Sequence, residues 1–285
     1  MGMLDSRVIV ITGGSSGIGA EIAKACAAEG ATVVISARTI DGLEKTLKEL
    51  KHISQRSHEI YPLDVSQYPH VRDFARWCAA KFQHIHGLVN CAGIYGPIGK
   101  TSQVSMEKFA AAIAINFLGT VYACQALIPL FPSSMRKKIV NFSGGGAAAP
   151  FPHYSAYATS KVAIVRFTEN LAAELVDEAV DVNCIAPGFV ITRFHEETLK
   201  AGPELATPAF YENTKKQMAS GGVPVEKSVR LTIFLLSSLS DGITGKFISA
   251  AWDPWPEQDF QERLRRDKDF ATIRRIDDKM FFKKS

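Results

Sequence analysis

The chain has no C-x-x-C pair. Its five cysteines, Cys26, Cys78, Cys91, Cys124 and Cys184, are odd in number and scattered through 285 residues. That spacing excludes a zinc-ribbon pattern and a dense disulfide framework; no metal site is expected, and the thiols read as buried side chains in a reducing compartment. No eighteen apolar residues follow one another, and no basic start leads into an apolar leader, since Met1 to Arg7 runs straight into a strand-like segment. The expectation is a cytoplasmic chain, neither secreted nor inserted in a membrane. Charge of one sign is not in excess either: 33 Lys and Arg against 29 Asp and Glu leave a net charge of +4, interleaved, so nothing calls for nucleic acid. Internal repeats and low-complexity segments are missing as well. An apolar fraction of 46 % in a chain of this length suits one large α/β domain with an ample core.

What is present is an alternation of strands and helices. Val8 to Ile11 is an apolar run of strand length that feeds into Thr12-Gly13-Gly14-Ser15-Ser16-Gly17-Ile18-Gly19 and then an alanine-rich helix. Strand, glycine turn and helix together make a phosphate-binding unit, because glycines let the backbone approach a pyrophosphate whose charge then sits at the helix N-terminus. A second strand, Ala31 to Ser36, ends at Ala37-Arg38, where an acid would bond a ribose hydroxyl and an arginine can pair with a 2′-phosphate. Arg38 therefore favours NADP(H), with NAD the lesser candidate. A third strand closes at Asp64-Val65, where Asp64 can accept from an adenine amine or cap a turn. A fourth runs from Gly87 to Asn90 into the small residues Cys91-Ala92-Gly93, and a long helix over Met106 to Leu130 carries Asn116 among apolar neighbours.

The stretch from Ile139 to Phe167 holds the chemistry. A buried strand and a glycine-rich loop lead into a helix that stacks Tyr157 and Lys161, four apart, on one face. A free tyrosine titrates near pH ~10, and a lysine charge within about 4–6 Å favours the phenolate, so the pair makes an acid and base usable nearer neutral pH. A sixth strand, Val182 to Ile185, leads into Ala186-Pro187-Gly188-Phe189-Val190-Ile191-Thr192. Residues 193–222 then mix aromatics with prolines and show no strand, which reads as a lid over a substrate. A helix over Glu226 to Ser237 and a strand over Gly245 to Ala250 complete a domain of residues 1–250. In the extension, 251–285, the residues Phe260, Leu264, Phe270, Ile273, Ile276, Phe281 and Phe282 are too many apolar side chains for a solvated tail, so it should dock on its own body or a neighbouring subunit.

Taken in order, Thr12-Gly13-x-x-x-Gly17-Ile18-Gly19, Asn90-x-Ala92-Gly93, Asn116, Tyr157-x-x-x-Lys161 and Pro187-Gly188 resemble the short-chain dehydrogenase/reductase family over residues 5 to 250. The resemblance implies a Rossmann fold, a doubly wound parallel sheet in a single domain with a C-terminal extension, and assembly as a homodimer or homotetramer. It implies hydride transfer between NADP(H) and a small carbonyl or secondary alcohol. Tyr157 would be the general acid/base, Lys161 would lower its pKa, and Asn116 would hold the water of a proton relay. Gly13, Ser15, Ser16, Gly17, Ile18, Gly19 and Arg38 would line the adenosine and phosphate half of the cofactor, and Asp64 and Val65 the adenine. Asn90, Ala92 and Gly93 would line the middle, and Pro187, Gly188, Val190 and Thr192 the nicotinamide end, beside Tyr157 and Lys161.

Two departures stand out. Asn90-Cys91-Ala92-Gly93 replaces the family's Asn-Asn-Ala-Gly, a mild change. More seriously, the family places a substrate-orienting serine thirteen residues before its tyrosine, and here that position is Gly144. Ser143 is one residue early and, by strand alternation, faces away unless Gly144-Gly145-Gly146 bulges; it stands as a catalytic candidate on that condition. His153 or Tyr154 could otherwise supply the missing hydrogen bond. Two further readings compete: an NADP-binding sensor or structural subunit with impaired catalysis, and an epimerase or dehydratase using the same tyrosine.

Overall fold

In the computed structural model, which describes residues 2–275, seven parallel strands form one sheet in the order β3-β2-β1-β4-β5-β6-β7. The strands are β1 (Val8–Thr12), β2 (Thr32–Ala37), β3 (Glu59–Pro62), β4 (Gly87–Asn90), β5 (Lys137–Phe142), β6 (Val180–Ala186) and β7 (Phe247–Ser249). Their near-continuous apolar runs are those of strands covered on both faces. Ile9 and Ile11 face one layer, with α1 (Gly17–Ala28), α2 (Ile40–Ile53) and α9 (Val225–Leu236). Val10 faces the other, with α3 (Tyr68–Lys81), α5 (Gly119–Leu127) and α6 (Ser155–Glu174). The strand order reverses between β1 and β4, and such a switch point opens a crevice at the carboxyl ends of the strands.

The long helix expected from Met106 is continuous in space but not uniform. It begins as α4 (Met106–Ile113), widens into a π-turn over Ala114–Leu118, and continues as α5. Met106–Leu130 is the one helix among the described residues long and apolar enough, by length and composition alone, to cross a membrane. Its buried face, Asn116, Gly119, Thr120, Ala123, Cys124 and Leu127, is packed inside the protein. Residues 193–222 form two helices, α7 (Arg193–Ala206), kinked at Gly202-Pro203, and α8 (Pro208–Ala219).

Beyond β7 the chain turns into α10 (Gln258–Arg266) and docks on its own body. Leu264 is buried, and Phe260 and Phe270 pack on the first core layer while Ile273 packs against the small cluster of Ala147, Ile164, Val165 and Cys184. The Lys246 ammonium donates to the carbonyls of Asp267 (2.6 Å) and Phe270 (3.1 Å), and Arg274 pairs with Glu169 of α6 at 2.8 Å. Ile276, Phe281 and Phe282 lie outside the described residues.

Candidate active site

Parallel register decides which strand side chains reach the crevice. Asn90 pairs with Asn141 across β4 and β5, so the two side chains share a face, and Asn90 Nδ2 donates to Asn141 Oδ1 at 2.9 Å. Asn141 in turn donates to Thr168 of α6 at 2.9 Å. The Asn90 side chain thus lies beneath the crevice, tied across β4 and β5, and is not among its lining residues. Two residues beyond Asn141, Ser143 points to the same helix and donates to the Lys161 carbonyl at 3.0 Å. The register of β5 on β6 stays regular to Phe142, and Ser143, in the crevice wall, gives its hydroxyl to α6 as a tie between the two elements.

The crevice itself has a volume of about 930 Å³. Along one end run Gly13, Ser15, Ser16, Gly17, Ile18, Gly19, Arg38, Asp64 and Val65; Ala92, Gly93, Pro187, Gly188, Val190 and Thr192 continue the wall toward Tyr157 and Lys161. Gly13 has φ +74°, and a Cβ there would stand 2.8 Å from the Ala92 backbone. A Cβ at Gly19 would stand 2.3 Å from the Gly13 carbonyl, so only glycines close this loop. Ser16 precedes α1 without a side-chain cap, leaving the first-turn amides open to the crevice. Ser36 Oγ, buried in the same wall, has no partner among the described residues. This backbone cradle with uncapped amides and an orphaned hydroxyl fits a dinucleotide. Arg38 is exposed at the end of β2 with no ionic partner among the described residues. One Asp64 oxygen caps its turn by accepting from the Ser66 amide (3.0 Å) and hydroxyl (2.7 Å).

At the other end Tyr157 lies in the first turn of α6, 7 % exposed, with the Lys161 ammonium 5.6 Å from its ring centre. That ammonium donates to the Phe142 carbonyl at 2.8 Å. Burial pushes the Tyr157 phenol above its ordinary value, with a smaller push from Cys91, and brings the Lys161 ammonium down to about 8. In this dry wall desolvation biases each group toward its neutral form, so any lowering of the phenol by Lys161 works against burial.

Asn116 occupies the π-turn, fully buried. Its Oδ1 accepts from the Ile94 amide (2.8 Å), and its Nδ2 donates to the Ile94 carbonyl (2.9 Å) and to Ser160 Oγ (2.9 Å). Its own carbonyl accepts from Thr120 Oγ1 at 2.9 Å. These bonds clamp the Gly93–Tyr95 loop to α6 and commit the Asn116 side-chain amide to protein groups.

Neither alternative hydroxyl or imidazole replaces the serine. Tyr154 is bonded to Thr198 Oγ1 at 2.9 Å, and His153 Nδ1 meets the Leu205 carbonyl at 2.6 Å. What surrounds Tyr157 instead is aromatic: Tyr95 meets it edge-on at 4.8 Å, Phe194 at 6.0 Å and Phe151 at 6.5 Å, with Phe210 packed on Phe151 at 4.8 Å. Phe194 and Phe210 come from residues 193–222, the segment expected to cover a substrate, whereas Tyr95 and Phe151 were not anticipated from the sequence. Their signal was position, each in a loop that follows a strand's carboxyl end, Tyr95 after β4 and Phe151 between β5 and α6. Trp252, 81 % exposed, is a lining residue, and His195, packed on Phe189 at 3.7 Å, is held neutral, its pKa brought down to about 4 by burial.

Known proteins resemble this chain in sequence and fold. The family described as short chain dehydrogenase matches residues 7–202. A chanoclavine-I dehydrogenase of Penicillium roqueforti is 28 % identical over 87 % of this chain and 98 % of its own length. A D-threitol dehydrogenase of Mycolicibacterium smegmatis is 33 % identical over 66 % of this chain and 72 % of its own. Among solved structures, a short chain dehydrogenase from Pseudomonas syringae superposes with a TM-score of 0.75 at 29 % identity, over 87 % of this chain and 96 % of that one. The chain belongs to the short-chain dehydrogenase family, as an oxidoreductase that works with a nicotinamide cofactor on a small molecule.

Proposed function

We propose that this protein transfers a hydride between NADP(H) and a carbonyl or secondary alcohol, with Tyr157 as general acid and base. The observation that carries the reading is that Tyr157 and Lys161 open on the same crevice as the glycine cradle of β1 and α1. The dinucleotide, when bound, supplies or takes up the hydride. In reduction the Tyr157 hydroxyl gives its proton to the substrate oxygen, and in oxidation it takes that proton back. Lys161, anchored on the Phe142 carbonyl, sets the charge facing the phenol. Asn116 is a positioning residue that fixes the loop under the cofactor's middle.

Arg38 supports NADP(H) over NAD(H), because its free guanidinium lies where a 2′-phosphate would need it, with the Ser15 and Thr39 hydroxyls in the same wall. The aromatic side chains Tyr95, Phe151, Phe194 and Phe210 beyond Tyr157 suit an apolar, uncharged substrate, since no carboxylate lines that end and Arg193 is tied to the Gly93 carbonyl at 3.3 Å. A screen of ketones followed by NADPH absorbance, with Tyr157→Phe as the control, tests this reading. The absence of any group replacing the serine favours, as a second reading, a cytoplasmic NADP-binding protein with impaired turnover; binding without turnover in that screen would select it. Assembly as a homodimer or homotetramer completes the proposal.

A further inference from the structure

We propose that Gly144 is a positioning residue for Tyr157: by carrying no β-carbon it leaves, just past β5, the space in which the phenol oxygen stands. The inference rests on the role given to Tyr157 above. A Cβ on Gly144 would lie 2.1 Å from the Tyr157 oxygen, 3.1 Å from its Cζ and 3.4 Å from its Cε1. The backbone is not what excludes a side chain here. Gly146, two residues on, has φ +84°, but Gly144 is outside the left-handed region and its peptide would accept alanine or serine. The obstacle is the phenol, which cannot swing freely because Tyr95, Phe194 and Phe151 pack around its ring.

No hydrogen bond among the described residues holds the Tyr157 hydroxyl, so ring packing and the empty place at Gly144 together fix where it points. Ser143, Tyr154 and His153 are committed to Lys161, Thr198 and Leu205. A substrate oxygen therefore meets one protein hydroxyl where the family pattern provides two. It follows that a serine restored at position 144 competes with the phenol for one place and does not add a second donor.

A double-mutant cycle on the full chain tests the seat. Gly144→Ala is expected to lower the melting temperature by about 3 °C or more in the unmodified protein, and by less than about half of that in a Tyr157→Phe background, where the colliding oxygen is gone. Gly144→Ala and Gly144→Ser should each lower kcat by about tenfold or more while the NADPH dissociation constant stays within about threefold. A remote core truncation, Val71→Ala, should lower the melting temperature without moving kcat. Equal thermal losses in the two backgrounds, or a Gly144→Ser enzyme that matches or exceeds the unmodified one, would overturn the proposal. If the unmodified chain binds NADPH but reduces nothing, the proposed function fails, while the thermal cycle still decides whether Gly144 seats Tyr157.

Discussion

Ser143 donates its hydroxyl to the backbone carbonyl of Lys161 at 3.0 Å, which binds the end of β5 to the helix that carries both Tyr157 and Lys161. The bond is buried and neutral, worth about 1 kcal/mol, and it commits the hydroxyl to the backbone of α6. Ser143→Ala should therefore cost about that much stability in urea unfolding and change kcat/KM by less than about tenfold. A loss of a hundredfold, about 2.7 kcal/mol in the barrier, would mean that the hydroxyl turns into the crevice during the reaction.

Lys161 gives the protein a defined pH dependence. Burial lowers its folded pKa from the ordinary 10.5 to about 8, so the unfolded chain binds more protons between those values. Stability contributed at this site is then lowest below pH 8, where the buried ammonium is charged, and rises toward pH 10.5. Relative to Lys161→Met, the unmodified protein should gain stability over that window, by at most about 1.4 kcal/mol per pH unit. Urea midpoints of both proteins from pH 7 upward check it; a difference that is flat, or that shrinks in the opposite direction, contradicts the burial argument.

Arg38 predicts cofactor choice. A charge-assisted pair to a 2′-phosphate should make NADPH bind at least about tenfold more tightly than NADH, or about 1.4 kcal/mol. Arg38→Leu should remove the preference by weakening NADPH alone. Equal dissociation constants in the unmodified protein, measured by calorimetry, would reject this assignment.

The extension predicts a stability effect. Removing residues 257–285 uncovers the pocket of Leu264, worth about 1.5–3 kcal/mol of apolar burial, and strips Lys246 of both carbonyl partners. The truncated chain should melt several degrees lower. An unchanged melting temperature, with an unchanged mass by light scattering, would show that the docked segment stabilises neither fold nor assembly.

The strand, glycine cradle and first helix were legible because they are local: an apolar run, a glycine turn and a 3.6-residue period specify them between Val8 and Ala28. The helices of residues 193–222 were not, since Pro203 and Pro208 interrupt the period and Thr207 between them takes φ +68°, which no spacing rule anticipates. Asn90 and Asn116 show a second limit. Both polar types were visible, but whether they face a ligand or each other's neighbours depends on register and on the π-turn, which are tertiary facts. At Gly144 the missing serine was plain in the sequence; that the phenol oxygen stands where a β-carbon would be is set by how α6 packs on β5.

Tyr157→Phe tests the central claim most directly. It removes only the oxygen that would carry the proton and leaves the ring packed among Tyr95, Phe151 and Phe194. Turnover of whichever ketone the unmodified protein reduces should fall by about 10²–10⁴, with NADPH affinity unchanged within about threefold. A Tyr157→Phe protein that keeps turnover within about tenfold would contradict the assignment of the proton to Tyr157.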